Sequence, residues 1–127
     1  LNYVRQEILE ELVRIKPELN PDVVFMPVEH DIHQDHSTIA KEGLRAFKHS
    51  TILGYELIWN NINFKTSCFI KLTRDQVDKK VESLECYTSQ QGRKYMHAEF
   101  IQSLAKVRGV QINSEYAEAF EVIRWIV

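Results

Sequence analysis

Apolar residues punctuate the chain with two different periods. Val4, Ile8, Leu12 and Ile15 recur every three or four residues, with Glu and Arg between them. That spacing lines one face of a helix, which the lack of a backbone N–H at Pro17 is predicted to end. Residues 19–22 read as a turn. The run Asp-Val-Val-Phe-Met-Pro at 22–27 reads as a short buried strand closed by proline. A polar stretch follows over 29–34, then a helix from about Asp35 through Ile39, Leu44 and Phe47. Residues 51–57 look like a second strand, residues around Trp59 like an Asn-rich loop, and 64–72 like a further extended segment.

Thr73 with Gln76 three residues on forms a capping box, and Val77, Val81 and Leu84 supply the inner face behind it. Ser-Gln-Gln-Gly at 89–92 breaks the chain. A helix over about 95–107 is predicted to stop at Gly109 as its C-cap, and residues 116–127 close as a strand. Strands alternating with helices predict an α/β fold, Rossmann-like, with a mainly parallel sheet flanked by helices. No repeat, low-complexity tract or linker divides the sequence. The chain runs from Leu1 straight into a helical pattern, without the buried strand that usually opens an α/β domain. It is therefore expected to be part of a larger domain.

Composition narrows the classes. The 127 residues are 44% apolar, enough for a core. A net charge of −2 offers no basic field, so nucleic acid is not an expected partner. No apolar run approaches the roughly 20 residues of a bilayer span, and no leader pattern opens the chain. Cys68 and Cys86 lack CxxC spacing and are expected as free thiols in a reducing cytoplasm.

The candidate chemistry lies in Pro27-Val-Glu-His-Asp-Ile-His-Gln-Asp-His36. His30, His33 and His36 fall at intervals of three, with Asp31 and Asp35 interleaved. The segment joins the carboxyl end of a predicted parallel strand to the next helix, where open α/β sheets place ligands. His36 falls in the first helical turn, with Asp35 near the N-cap; the helix dipole disfavours imidazolium there, and a metal needs neutral imidazole. Asp35 could hydrogen-bond the far nitrogen of a neighbouring imidazole. An Asp at a helix start is also an ordinary cap, and the pattern is not the HExxH of a zinc helix. A catalytic zinc takes three protein ligands, of which this segment supplies one or two.

His33-Gln-Asp-His36, preceded by Asp31 and a strand ending in Pro27, resembles the second metal motif of the LmbE-like, or PIG-L-type, deacetylases. The likeness continues in order through Tyr55-Glu56, Lys79 or Lys80, Ser89-Gln90, Arg108-Gly109 and residues 116–120. It implies zinc-dependent removal of acetyl groups from N-acetylglucosamine-type substrates on a Rossmann-like fold. By that resemblance His36 matches a zinc ligand, His33 the histidine that stabilises the oxyanion and assists proton transfer, and Asp35 the aspartate that orients it. The family's first motif, of the His-Pro-Asp-Asp-Glu type, supplies two more zinc ligands and a general base, and does not occur in these residues. Residues 1–127 are therefore expected to form the C-terminal portion of one deacetylase domain, inactive alone and partnered by the upstream half of the same protein. Self-association into a homo-oligomer stays open.

Two rivals stand beside this: a non-catalytic α/β interaction module whose His/Asp loop is a polar turn, and a metal-dependent phosphoesterase fragment. Trp59, Asn60, Asn61 and Asn63 could stack on and hydrogen-bond a sugar, though Asn is common in loops. His49 and His97 stand apart from the cluster. Glu118 pairs with a cation or points outward, and Lys79-Lys80 reads as a solvated helix face.

Overall fold

The computed structural model describes residues 1–127. Helix α1 (Arg5–Leu19) carries the first apolar stripe and runs two residues past Pro17. A proline so near the end forfeits one hydrogen bond, and the stop is made by Asn20 instead. Asn20 is left-handed (φ 38°, ψ 57°) and its N–H reaches the Lys16 carbonyl at 2.8 Å. Strand β1 (Val23–Met26), helix α2 (Gln34–Ala46) and strand β2 (Thr51–Tyr55) follow as the periodicity predicts. Then come β3 (Cys68–Leu72), α3 (Arg74–Glu85), α4 (Ala98–Gln111) and β4 (Tyr116–Arg124).

The strands are ordered β1-β2-β4-β3. β1 and β2 are parallel, from Val23↔Thr51 to Met26↔Gly54, joined through α2. β4 lies antiparallel to β2, pairing Leu53 with Val122 and Tyr55 with Phe120. The fold is thus α/β, with a parallel pair joined through a helix on one side of the sheet, and its closing strand makes the sheet mixed.

Two compact units emerge. The first comprises Leu1–Cys68 and Phe120–Val127. Met26, Ala46, Phe47 and Ile52 form its core, with Leu9 and Leu12 from α1 and Val24, Leu44 and Ile123 packed against them. Burying a side chain such as Ile52 contributes about 1.5–3 kcal/mol. Glu42, on α2, is also fully buried. Its Oε1 accepts from Arg5 Nε (2.8 Å) and Nη2 (2.5 Å), and its Oε2 from Arg45 Nη1 (2.6 Å). Burial pushes this carboxyl up, but the hydrogen bonds and charges of the two guanidinium groups outweigh it and hold the carboxyl below its ordinary value.

The second unit, residues 69–119, packs Val77, Ala105 and Tyr116 with Leu72 against them. The Thr73/Gln76 capping box is present at the start of α3. Lys80 pairs with Glu118, and Arg74 Nη1 donates to the Tyr116 hydroxyl at 3.3 Å. Helix α4 begins later than its pattern predicts and passes through Gly109 to Gln111. Gly109 is therefore not the cap. A Cβ there would lie 2.6 Å from the Ser114 carbonyl oxygen and 2.7 Å from that of Glu115, so glycine admits the returning backbone. Both cysteines are free, and no helix is long and apolar enough to cross a membrane.

Candidate functional site

The loop between β1 and α2 is built around Asp31. Its carboxylate is buried: Oδ1 accepts from the His33 backbone N–H (2.7 Å), an Asx turn, and Oδ2 meets His36 Nδ1 at 2.9 Å. Since the carboxylate accepts, His36 carries a proton on Nδ1, and the ring in its neutral form presents a lone pair at Nε2. The His36 side chain keeps 33% of its surface exposed, so that nitrogen has room for a ligand.

His33 is the N-cap of α2, a position the sequence suggested for Asp35. His33 Nδ1 accepts from the Asp35 backbone N–H at 3.3 Å, which leaves its own proton on Nε2. The rings of His33 and His36 stack, with centroids 4.5 Å apart and planes 23° from parallel. Two imidazoles thus stand side by side with opposite tautomers. One offers a lone pair and the other an N–H.

Asp35 sits in the first turn of α2, and its carboxylate meets no imidazole nitrogen. Oδ1 accepts from the Leu1 ammonium at 2.8 Å. The carboxylate that does meet an imidazole is Asp31. Its signal in the sequence was its position two residues before His33 and five before His36, which suits a side chain folding back over its own turn.

His30 turns away from the other two histidines. Its Nε2 stands 3.5 Å from Glu121 Oε2 on β4. Glu29, His30 and Glu121 line the polar side of a cavity of about 240 Å³, and Ala40, Leu44, Val122 and Ile123 its apolar side. The Asn-rich loop adjoins the His/Asp loop, for the Ile32 N–H donates to the Asn60 carbonyl at 3.2 Å. Asn61 Oδ1 accepts from the Leu57 N–H at 2.7 Å, while its buried Nδ2 has no partner. His49 lies in the turn after α2, and His97 occupies the N-cap position of α4 without a side-chain capping hydrogen bond. No three His, Cys, Asp or Glu side chains stand together within reach of one metal ion. His36 by its free Nε2 fits the part of a single metal ligand with a carboxylate behind it.

No protein-family profile matches the chain. Solved structures do share its fold. The conserved protein TT1542 of Thermus thermophilus superimposes with a TM-score of 0.80 over 95% of this chain, at 21% identity. The N,N'-diacetylchitobiose deacetylase of Pyrococcus horikoshii gives 0.72 over 92%, at 20% identity. Teicoplanin deacetylase Orf2, solved in a zinc-inhibited form, gives 0.74 over 94%, at 17% identity. GalB, the 4-carboxy-2-hydroxymuconate hydratase of Pseudomonas putida, gives 0.73 over 96%, at 18% identity. The chain spans 60%, 51%, 51% and 60% of those four proteins' lengths. The fold is thus one on which deacetylases, and a hydratase, are built.

Proposed function

We propose that this chain supplies the His/Asp half of a zinc-dependent N-deacetylase acting on acetylated amino sugars. Residues 1–127 form the C-terminal portion of its catalytic domain, and the upstream half of the same protein carries the remaining zinc ligands and a general base. The observation that carries this reading is the buried Asp31, which holds the Nδ1–H of His36 and so turns its Nε2 lone pair outward. Carboxylate–histidine pairs of this kind orient metal ligands and raise their basicity. The two deacetylases that share the fold support the reaction class, and the zinc-inhibited one supports the metal.

Zinc, when bound, polarises the acyl oxygen and acidifies a water. This chain's residues do the rest of their share from fixed positions. His36 holds the metal. His33, fixed by the Asp35 backbone N–H, aims its own Nε2–H outward to stabilise the oxyanion, while the departing amine would take the proton that the upstream general base removed from water. Asp35 acts here through its main chain.

The test is made on the longest natural form of the protein, with zinc analysis and acetate release from N-acetylglucosamine derivatives. His36→Ala is expected to lose zinc and turnover together. His33→Ala is expected to keep zinc and lose about a hundredfold or more in kcat, the scale on which oxyanion donors act. Reversed behaviour of the two variants would reverse the roles; no effect from either would sink the deacetylase reading. GalB favours a second reading, addition of water to a carbon–carbon double bond, and hydration of a carboxylated enoate without acetate release would establish it instead.

A further inference from the structure

The cavity beside His30 takes no part in the chemistry proposed above, for none of Asp31, His33 and His36 lines it. All its walls come from the first unit. One is the side of α2 on which Ala40 and Leu44 follow each other at a spacing of four, so their side chains share one helix face. The other is β4. An unbroken strand sends successive side chains to opposite faces. Here Leu53 pairs with Val122 and Ile52 with Arg124, so Ile123 is an extra residue in the ladder. This bulge interrupts the alternation, and Glu121, Val122 and Ile123 all border the one cavity.

The polar side offers acceptors and few donors. Both contacts of the Glu121 carboxylate fall on Oε2, which meets His30 Nε2 at 3.5 Å and accepts from the Lys65 backbone N–H at 3.3 Å. Oε1 is left open. The Glu121 side chain is only 15% exposed, so a charged hydrogen bond to it is stronger than one made in open water. His30, neutral with its proton on Nε2, adds an acceptor at Nδ1, and Glu29 adds a second carboxylate. No lysine or arginine lines the cavity. A metal ion does not suit these groups, which do not converge within its short reach. A primary ammonium does. It carries three N–H donors and a positive charge, and its hydrogen bonds span about 2.7–2.9 Å.

We infer that this cavity is a binding site for a small primary alkylammonium. Glu121 and Glu29 hold the charged head, and the aliphatic stem lies against Ala40, Leu44 and Ile123. A cavity of about 150 Å³ holds benzene, so one of about 240 Å³ admits roughly ten non-hydrogen atoms. The site is independent of zinc and of deacetylation, and stands or falls without them.

Methyl NMR of the 127-residue chain tests it with n-butylammonium, and with n-butanol and butyrate as neutral and anionic probes of like size. n-Butylammonium is expected to shift the methyl signals of Ala40, Leu44, Val122 and Ile123 saturably, with a Kd on the order of 1 mM. Butanol and butyrate are expected to bind at least about tenfold more weakly. Glu121→Gln should weaken n-butylammonium about tenfold and Glu29→Gln about threefold. Glu29 is exposed, so its variant keeps the fold even if Glu121→Gln disturbs the Lys65 contact. Four results overturn the inference. Butanol or butyrate may bind as tightly as the ammonium, which makes the cavity an apolar hole; the shifts may never saturate; or Glu29→Gln may leave the affinity unaltered. Lastly, the same methyls may shift when the chain alone is diluted, which gives the cavity to a lysine of a second copy.

Discussion

Two buried carboxylates of the first unit, Asp31 just before α2 and Glu42 within it, are treated in opposite ways. Glu42 spends both oxygens on guanidinium groups, and Arg5 and Arg45 spread their charge to the surface with side chains 48% and 58% exposed. Nothing is left over. Asp31 gives one oxygen to its own loop and the other to an imidazole whose second nitrogen stays open. A closed cluster stiffens the packing of α1 against α2. An open one passes its orientation on to whatever His36 binds.

The first way to break this comparison is to strand each carboxylate. Arg5→Ala with Arg45→Ala leaves Glu42 buried and unpaired, which costs about 3–5 kcal/mol in such pairs. Glu42→Leu removes the buried charge and frees two half-exposed arginines to water, so it is expected to be near neutral. Urea unfolding of both variants checks the asymmetry. If Glu42→Leu proves the more damaging, the cluster contributes net attraction beyond its desolvation. The acid limb follows from the depressed carboxyl. Its contribution is fully present above the ordinary value of 4.5 and is lost as pH falls through the lower folded value. Arg5→Ala with Arg45→Ala should flatten that loss.

Asp31→Asn tests the open cluster and is expected to be milder for stability, about 1–3 kcal/mol for the disturbed buried hydrogen bonds. Its larger effect falls on the imidazole. An amide NH2 facing Nδ1 makes that nitrogen an acceptor and moves the ring proton to Nε2, so the outward lone pair is lost. Nitrogen NMR of His36 is expected to show the tautomer switch in the 127-residue chain itself. Zinc affinity of the metal-binding form should fall about 10–100-fold. An unchanged tautomer would show that Asp31 serves the loop alone.

The same contrast explains what could be read in the sequence. The His33-Gln-Asp-His36 cluster, its place between strand and helix, and the order of elements follow from period and residue type. The partners do not. Asp31 and Asp35 look alike in a polar loop, and only the Asx turn at His33 decides which of them reaches an imidazole. Arg5 lies far from Glu42 along the chain, so local pattern had no way to pair them or to place a glutamate in the core. Gly109 reads as a stop because glycine usually ends helices, yet it serves a tertiary approach of residues 114–115. Pro17 fails as a stop because the last turn has few bonds left to lose.

The smallest expected effect tests how far the charge of Asp31 reaches. Tyr55 ends β2, and its phenol is pushed above its ordinary value of 10.0, first by burial and second by the negative charge of Asp31. Both act against the phenolate. The raised value means that Tyr55 contributes stability fully present below about pH 10 and lost as pH rises through its folded value. In an ultraviolet titration one of the five tyrosines should ionise late, and Tyr55→Phe should remove that late phase. Asp31→Asn is expected to move it back only part of the way, because burial is the larger cause and remains. Complete reversal would make the carboxylate the dominant influence on Tyr55. No movement at all would mean that water screens Asp31 from its neighbour across the sheet, and that its charge acts only on the two histidines it holds.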